Sequence, residues 1–201
     1  MHGAIRVGAA FPSGGFDAGS SLSDNAGTQT TVIIDAGARL RPQDDLNAGW
    51  MFGGYLGVGF GGTGSTNDAL RSQFGLSSGS AVSVHFGPEV QYRFVTHSNI
   101  SPWVGYGLGL EVLRLSFDKG NTTDSLCLVG FQFARPQIGV DWIPSPWFGL
   151  GLYTEVSFAQ FSRGTAYVDQ AGVTQSTADV HLVGASLHEW IGLGVRGVLL
   201  P

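Results

Sequence analysis

The stretch that decides the fold runs from residue 82 to residue 94 and reads "VSVHFGPEVQYRF". Its even positions carry Val, Phe, Pro and Tyr, whereas its odd positions carry Ser, His, Gly, Glu, Gln and Arg. Successive side chains of an extended chain point to opposite faces, so this alternation predicts a strand with one apolar and one polar face. Whether the polar or the apolar face meets the surroundings separates a soluble β-protein from one embedded in lipid.

The composition is unusual for a soluble protein of 201 residues. Charged residues make up 12% of the chain, against roughly 25% in an average soluble protein, and Lys119 is the single lysine. A soluble surface normally carries many scattered charges. The net charge is −5 and the sequence shows no stripe of basic residues, which argues against nucleic-acid binding. No apolar run reaches the roughly 18 residues of a membrane-spanning helix.

Seven further stretches alternate in the same way. The connections between the stretches are alternately short and long. The strand-like stretches other than 82–94 lie at about 3–12, 29–41, 46–61, 102–117, 126–143, 147–161 and 186–199. The short connections are 41–46, 95–102 and 143–147, and the long ones are 13–28, 62–80, 118–125 and 162–185. Short turns at one rim and long loops at the other are typical of outer-membrane barrels. The sequence therefore predicts an all-β fold: one eight-stranded antiparallel up-and-down transmembrane β-barrel over residues 1–201.

Two local features modify the predicted strands. The alternation changes phase between Phe133 and Arg135, which predicts a β-bulge there. Pro88 and Pro136 lie within strands, where each removes a hydrogen-bond donor from a barrel that has no free edge.

The polar faces of the eight stretches carry equal numbers of opposite charges. The set is Arg6, Arg39, Arg93, Arg135 and Arg196 with Asp35, Glu89, Glu111, Asp141 and Glu155, joined by His85 and His188. A set exposed to water has no need to balance, whereas an unpaired charge away from water is costly. We therefore expect these residues to line the lumen as a structural or gating network, with Glu89 and Arg93 as one pair. The apolar faces would then meet lipid; the alternative is a soluble lipocalin-like barrel with an apolar interior.

Four tryptophans lie at or near the short-turn ends of the predicted strands. They are Trp50, Trp103, Trp142 and Trp147. A girdle of aromatic side chains at the membrane interface predicts this placement, and ordinary packing is the alternative.

The other motifs give little indication of a nucleotide site, a metal site or a catalytic site. The "GVGFGG" of 57–62 lies within a strand and opens no helix, so it does not indicate a nucleotide site. The histidines, which include His2, His97 and His181, have no spacing typical of a metal site, and Cys127 has no partner for an internal disulfide. We expect no metal and no cofactor. Ser157, Glu155 and His188 come from neighbouring strands and could form a hydrolase triad, but side chains fill an eight-stranded lumen.

Five segments carry a resemblance to a known family. They are "DAGARLRP" (35–42), "GPEVQYRF" (87–94), "PWVGYGLGLEVL" (102–113), "GFQFARPQIGVDW" (130–142) and "HEWIGLGVRG" (188–197). The chain resembles the small eight-stranded OmpA/OmpW-like outer-membrane barrels, in particular uncharacterised barrels from myxobacteria. It departs from them in ending on "GVLLP" rather than an aromatic residue, and in lacking a cysteine pair in the second long loop.

The resemblance implies a location, partners and a choice of functions. The location is the outer membrane of a Gram-negative bacterium; no signal peptide is visible after Met1, as in a mature chain. The implied partners are outer-membrane lipids, the barrel assembly machinery and an extracellular ligand at the long loops, and the implied state is a monomer. We expect a plugged, non-enzymatic barrel with a structural or recognition role. The alternatives are a narrow channel for small or apolar solutes and a lipid hydrolase; "HSN" (97–99) resembles part of the lipid A deacylases but would lie in a periplasmic turn.

Overall fold

The computed structural model describes residues 2–17, 20–40, 49–64, 78–94, 98–119, 121–170, 173–180 and 187–200. Within these ranges the elements are β1 (His2–Asp17), β2 (Ser20–Ser21), α1 (Leu22–Asn25), β3 (Ala26–Leu40), β4 (Gly49–Thr63), β5 (Ser78–Arg93), β6 (Ile100–Lys119), β7 (Thr122–Ser145), β8 (Phe148–Gln170), β9 (Val173–Val180) and β10 (Leu187–Leu199). No helix in the described ranges has the length and apolar character needed to cross a membrane.

Eight of the strands close into a ring. Its order is β1, β3, β4, β5, β6, β7, β8 and β10, with β10 hydrogen-bonded to both β8 and β1. Every neighbouring pair is antiparallel. The predicted eight-stranded up-and-down barrel is therefore confirmed, and closure pairs backbone groups that an open sheet would leave at its edges.

The wall has its apolar side outward, as predicted. Ile34, Leu56 and Phe86 lie side by side on three adjacent strands and are about half exposed. Arg6, Glu111 and Asp141, on the opposite phase, are each fully buried inside the ring. The lipocalin-like alternative required the reverse arrangement and is wrong.

Hydroxyl groups on the outer wall bond to backbone carbonyls. Tyr106 donates to the carbonyl of Phe133 at 3.0 Å, Thr154 to that of Gly192 at 3.0 Å, and Ser162 to that of Val129 at 3.2 Å. Lipid offers no hydrogen-bond partner, so such local bonds suit a wall in contact with lipid.

The bulge and the two prolines occur at interruptions of the strand ladder. The register of β7 against β8 shifts between Gln132 and Ala134, which confirms the bulge predicted beside Phe133. Pro136 lies just after it, in the gap between Ala134 and Gln137 in the pairing with β8, and Pro88 lies where the pairing of β5 with β6 is interrupted. Each proline is paired on its other side, Pro88 with Gly54 and Pro136 with Tyr106, and the missing N–H costs little on the side where the pairing is interrupted.

The strands on one side of the barrel are much longer than the others and extend beyond them at one end. β7 and β8 have 24 and 23 residues, against 13 in β10, and β9 pairs with the far part of β8. We call this end of the molecule the extended end; the opposite, short-turn end includes the two-residue turn Pro146–Trp147. The prediction of loops at 118–125 and 162–185 is wrong for most of these residues, which belong to hairpins.

The side-chain pattern inverts where the wall enters the extended end. On β6, Leu110 is exposed and Val112 half-buried on the outward face, whereas Leu113 and Leu115 are buried on the inward face beside the exposed Arg114. A sheet surrounded by water buries its apolar face, and a barrel wall in lipid exposes it. The inversion marks the level at which the outward face of β6 changes from apolar to polar.

The described residues of the first predicted loop, 13–17 and 20–28, fold into the mouth of the extended end. β1 continues to Asp17, and α1 begins after Ser21, which exchanges hydrogen bonds with Asp24 in a capping box. The N–H of Gly64 donates to the carbonyl of Asn25 at 2.9 Å, which ties α1 to the end of β4. Leu22 is fully buried as a result.

Candidate functional site

Arg6 lies at the centre of the lumen and binds three carboxylates from three other strands. Its guanidinium pairs with Asp35, with Glu89 at 2.8 Å and with Glu155 at 3.1 Å. It also donates to Gln137 Oε1 at 2.7 Å. All of the donor groups of Arg6 lie away from water, so these acceptors replace its hydration.

Further bonds satisfy the acids around Arg6. Arg135 pairs with Glu155 at 2.7 Å and lies over the ring of Tyr55, 4.1 Å from its centroid. Glu89 accepts from Gln91 at 2.6 Å and from Gln137 at 2.8 Å. We call Arg6, Asp35, Glu89, Arg135 and Glu155 the middle network.

A second group of charges lies toward the short-turn end. Asp141 pairs with Arg93 at 2.5 Å, and an Nη1 atom of Arg196 lies 4.0 Å from the same carboxylate. Arg196 also donates to Gln91 Oε1 at 2.8 Å and lies 3.1 Å from the ring nitrogen of His2. Arg39 is half-buried on the inward phase of β3.

The expected pair of Glu89 and Arg93 does not form. The two residues are four positions apart on one strand, which separates them by roughly 13 Å. Glu89 binds Arg6, and Arg93 binds Asp141. The charges therefore pair between strands, both neighbouring and opposite ones, and not along a strand.

Trp103 is a correction to the predicted aromatic girdle. It is 1% exposed inside the lumen, donates to Asp141 at 3.2 Å, and stacks on Arg196 at 4.1 Å. Its neighbour Val104 faces outward, so alternation turns Trp103 inward. Trp50, Trp142 and Trp147 are exposed on the outer surface toward the short-turn end, and their role at a membrane interface stays a prediction.

A third polar unit lies toward the extended end. Glu111 Oε2 lies 2.9 Å from His188 Nε2, and Glu111 Oε1 accepts from the indole of Trp190 at 2.8 Å. Phe161 stacks on His188 with ring centroids 4.1 Å apart, and His85 meets Trp190 edge to face at 6.3 Å. We call Glu111, His188 and Trp190 the upper unit.

Apolar layers, which the sequence analysis missed, lie beyond both ends of the charges. The upper apolar layer includes Phe16, Leu22, Leu113, Leu115, Leu128 and Phe161. The lower apolar layer includes Ala4, Ile143, Val198 and Leu200. The available signal was the leucines on the inward phase of "LRL" (113–115) and "LCL" (126–128).

The residues suggested for a hydrolase are not joined. Glu155 binds Arg6 and Arg135, and His188 Nε2 faces Glu111. Ser157 Oγ is buried with no hydrogen-bond partner in the described part of the chain. Nor do the described residues include a group of His, Cys, Asp and Glu that could hold a metal ion. His97 and His181 lie outside the described residues, and Cys127 is half-buried.

Comparisons with known proteins agree on the fold. No family model and no curated protein match the chain. A major outer membrane protein from Thermus thermophilus is similar at 14% identity, with 98% of this chain and 99% of that chain covered and a TM-score of 0.55. Neisserial surface protein A is also similar at 14% identity, over 100% and 99% of the two chains, with a TM-score of 0.48.

The chain thus has the fold of the small outer-membrane β-barrels. The attachment invasion locus protein Ail of Yersinia pestis is a further similar structure, at 14% identity over 97% of each chain and a TM-score of 0.42. The resemblance to small outer-membrane barrels is confirmed for the fold, and the link to myxobacteria stays a prediction.

Proposed function

We propose that this chain is an integral protein of the bacterial outer membrane whose closed barrel supports the strands of the extended end, with a structural or surface-recognition role. The observation that carries the proposal is the filled lumen: an apolar layer at each end and three charged groups between them. An eight-stranded barrel is just wide enough for its own side chains, which leaves no room for a continuous water-filled path.

The extended end supplies the surface that such a role needs. β8 has 23 residues, which at about 3.3 Å each and a tilt of about 40° rise roughly 58 Å, over twice an apolar band of about 25 Å. The exposed side chains of the extended end include the polar residues Arg114, Arg163, Thr177 and Asp179. We therefore place the extended end outside the cell, as a platform for an extracellular ligand.

The closed lumen predicts that the barrel does not conduct ions. We expect the purified barrel to give no steady current in a planar lipid bilayer, because the two apolar layers and the paired charges block ions. Flotation of the same preparation with lipid vesicles shows that the protein has inserted, so that silence is informative. A steady open state of appreciable conductance would contradict the proposal and favour a narrow channel.

The placement of the extended end predicts which sites can be labelled on intact cells. In a Cys127→Ser background, we expect Thr177→Cys on β9 to react with a maleimide that cannot cross membranes. The matched variant Pro146→Cys, in the turn at the opposite end, should react only after the cells are lysed. Both residues are exposed, so a difference reports the side of the membrane. The reverse pattern would overturn the orientation, and labelling of both on intact cells would overturn the membrane location.

The remaining parts of the proposal concern chemistry and partners. We propose no catalytic activity, which the separate engagement of Glu155 and His188 supports. We also propose a monomer that depends on the barrel assembly machinery and contacts outer-membrane lipids through its apolar wall. The net charge of −5 argues against nucleic acid as a partner.

A further inference from the structure

A small void lies in the lumen between the middle network and the upper unit. Its volume is about 20 Å³, and its lining includes His85, Gln132, Arg135, Glu155, Ser157 and Trp190. A space of roughly 10–15 Å³ on this measure holds one water molecule, so the void has room for one.

Three buried polar atoms of the lining have no hydrogen-bond partner among the described residues. They are His85 Nδ1, Arg135 Nη1 and Ser157 Oγ. Two other polar atoms of the lining have partners: Arg135 Nη2 donates to Glu155, and Gln132 Oε1 accepts from Tyr55. Buried polar groups in folded proteins nearly always have a partner. Other buried polar atoms without one occur elsewhere in the described residues, but here three of them line a single void.

We propose that the void is a binding site for a single internal water molecule, held by His85, Arg135 and Ser157. Arg135 would donate to the water oxygen, the hydroxyl of Ser157 can donate or accept, and the imidazole nitrogen does either according to its tautomer. Internal waters typically make about three hydrogen bonds, which is the number of atoms available here.

The charge around the void favours water over an anion. The guanidinium of Arg135 is already paired with Glu155, which itself lines the void. An anion would place a further negative charge beside that carboxylate, away from bulk water, at a large cost. A neutral molecule that both donates and accepts avoids this cost.

The water connects two parts of the lumen. His85 packs against Trp190 of the upper unit, and Arg135 belongs to the middle network. The bound water therefore extends the hydrogen-bonded interior of the barrel from Arg6 toward the upper unit. The water site depends only on the side chains inside the barrel. The proposal is therefore independent of whether the lumen conducts ions.

A crystal structure of the full chain in detergent, at a resolution that shows ordered water, tests the site directly. We expect one peak within hydrogen-bond distance of His85 Nδ1, Arg135 Nη1 and Ser157 Oγ. A second crystal grown in bromide separates water from an anion, because bromide gives an anomalous signal. An empty void, or an anomalous peak in it, would overturn the proposal.

A pair of variants tests which side chain makes the site. Ser157→Val replaces the hydroxyl with a methyl group and adds a second methyl group, so the peak should disappear from its map. Ser162→Val is the matched control, because Ser162 lies on the same strand but on the outer face, and its map should keep the peak. Loss of the peak in both variants, or in neither, would contradict the assignment to Ser157.

Discussion

Replacing Arg6 with Met should lower the free energy of unfolding by about 3–5 kcal/mol, the usual cost of breaking a buried ion pair. Arg6 and Arg135 together face Asp35, Glu89 and Glu155, so loss of Arg6 leaves three carboxylates with one cation. Methionine fills a similar volume, which keeps the effect of a cavity small. Urea titration of the barrel in lipid vesicles, followed by tryptophan fluorescence, measures the change.

Two further variants separate the lost pairing from other causes. Arg114→Met is the matched control, because Arg114 is exposed on β6, and it should change the free energy of unfolding by less than about 1 kcal/mol. Adding Glu89→Gln to Arg6→Met removes one unpaired carboxylate and should recover part of the loss. Equal effects of Arg6→Met and Arg114→Met would show that the middle network is open to water.

The barrel could be predicted in outline because alternation is a local property of the chain. In "VIIDAGARL" (32–40), Asp35 and Arg39 share a phase opposite Ile34 and Leu40, so one assignment of faces fixes the whole strand. Trp103 follows the same rule. Predicting it from its nearness to a turn instead of from its phase placed it wrongly on the outer wall.

The partners across the lumen could not be predicted, because they depend on geometry that no single strand contains. Arg6 meets Glu89 from 83 positions away, and which residues come level is set by the tilt and stagger of the closed ring. The equal count of charges indicated enclosure, but it could not say that Glu89 binds Arg6 and Arg93 binds Asp141.

The hairpins of the extended end were missed for a different physical reason. Strands that leave lipid lose the sharp contrast between an apolar outer face and a polar inner face, so segments rich in Ser, Thr and Asp resemble loops. At 113–115 the contrast in fact reverses, with Leu113 and Leu115 turned inward. We therefore expect an inverted alternation within one strand to mark a membrane boundary.

The second large effect tests that boundary from the lipid side. Trp50 and Phe60 face outward on β4, ten residues apart, which corresponds to about 33 Å along the strand and roughly 25 Å along the barrel axis. Leu56 lies between them and is 50% exposed. Leu56→Arg should therefore lower the free energy of unfolding in lipid vesicles by about 2–4 kcal/mol, because it places a charge near the middle of the bilayer.

Substitutions at different depths in the bilayer separate the cost of placing a charge in lipid from a general destabilisation of the strand. Phe52→Arg, on the same face but two residues from Trp50, should cost only about 0–1 kcal/mol, because a charge near the interface reaches water. Val173→Arg, exposed at the start of β9 in the extended end, should change the free energy of unfolding by less than about 0.5 kcal/mol. If the three substitutions had equal effects, the outward apolar face would have no depth profile, and its contact with lipid would have to be abandoned.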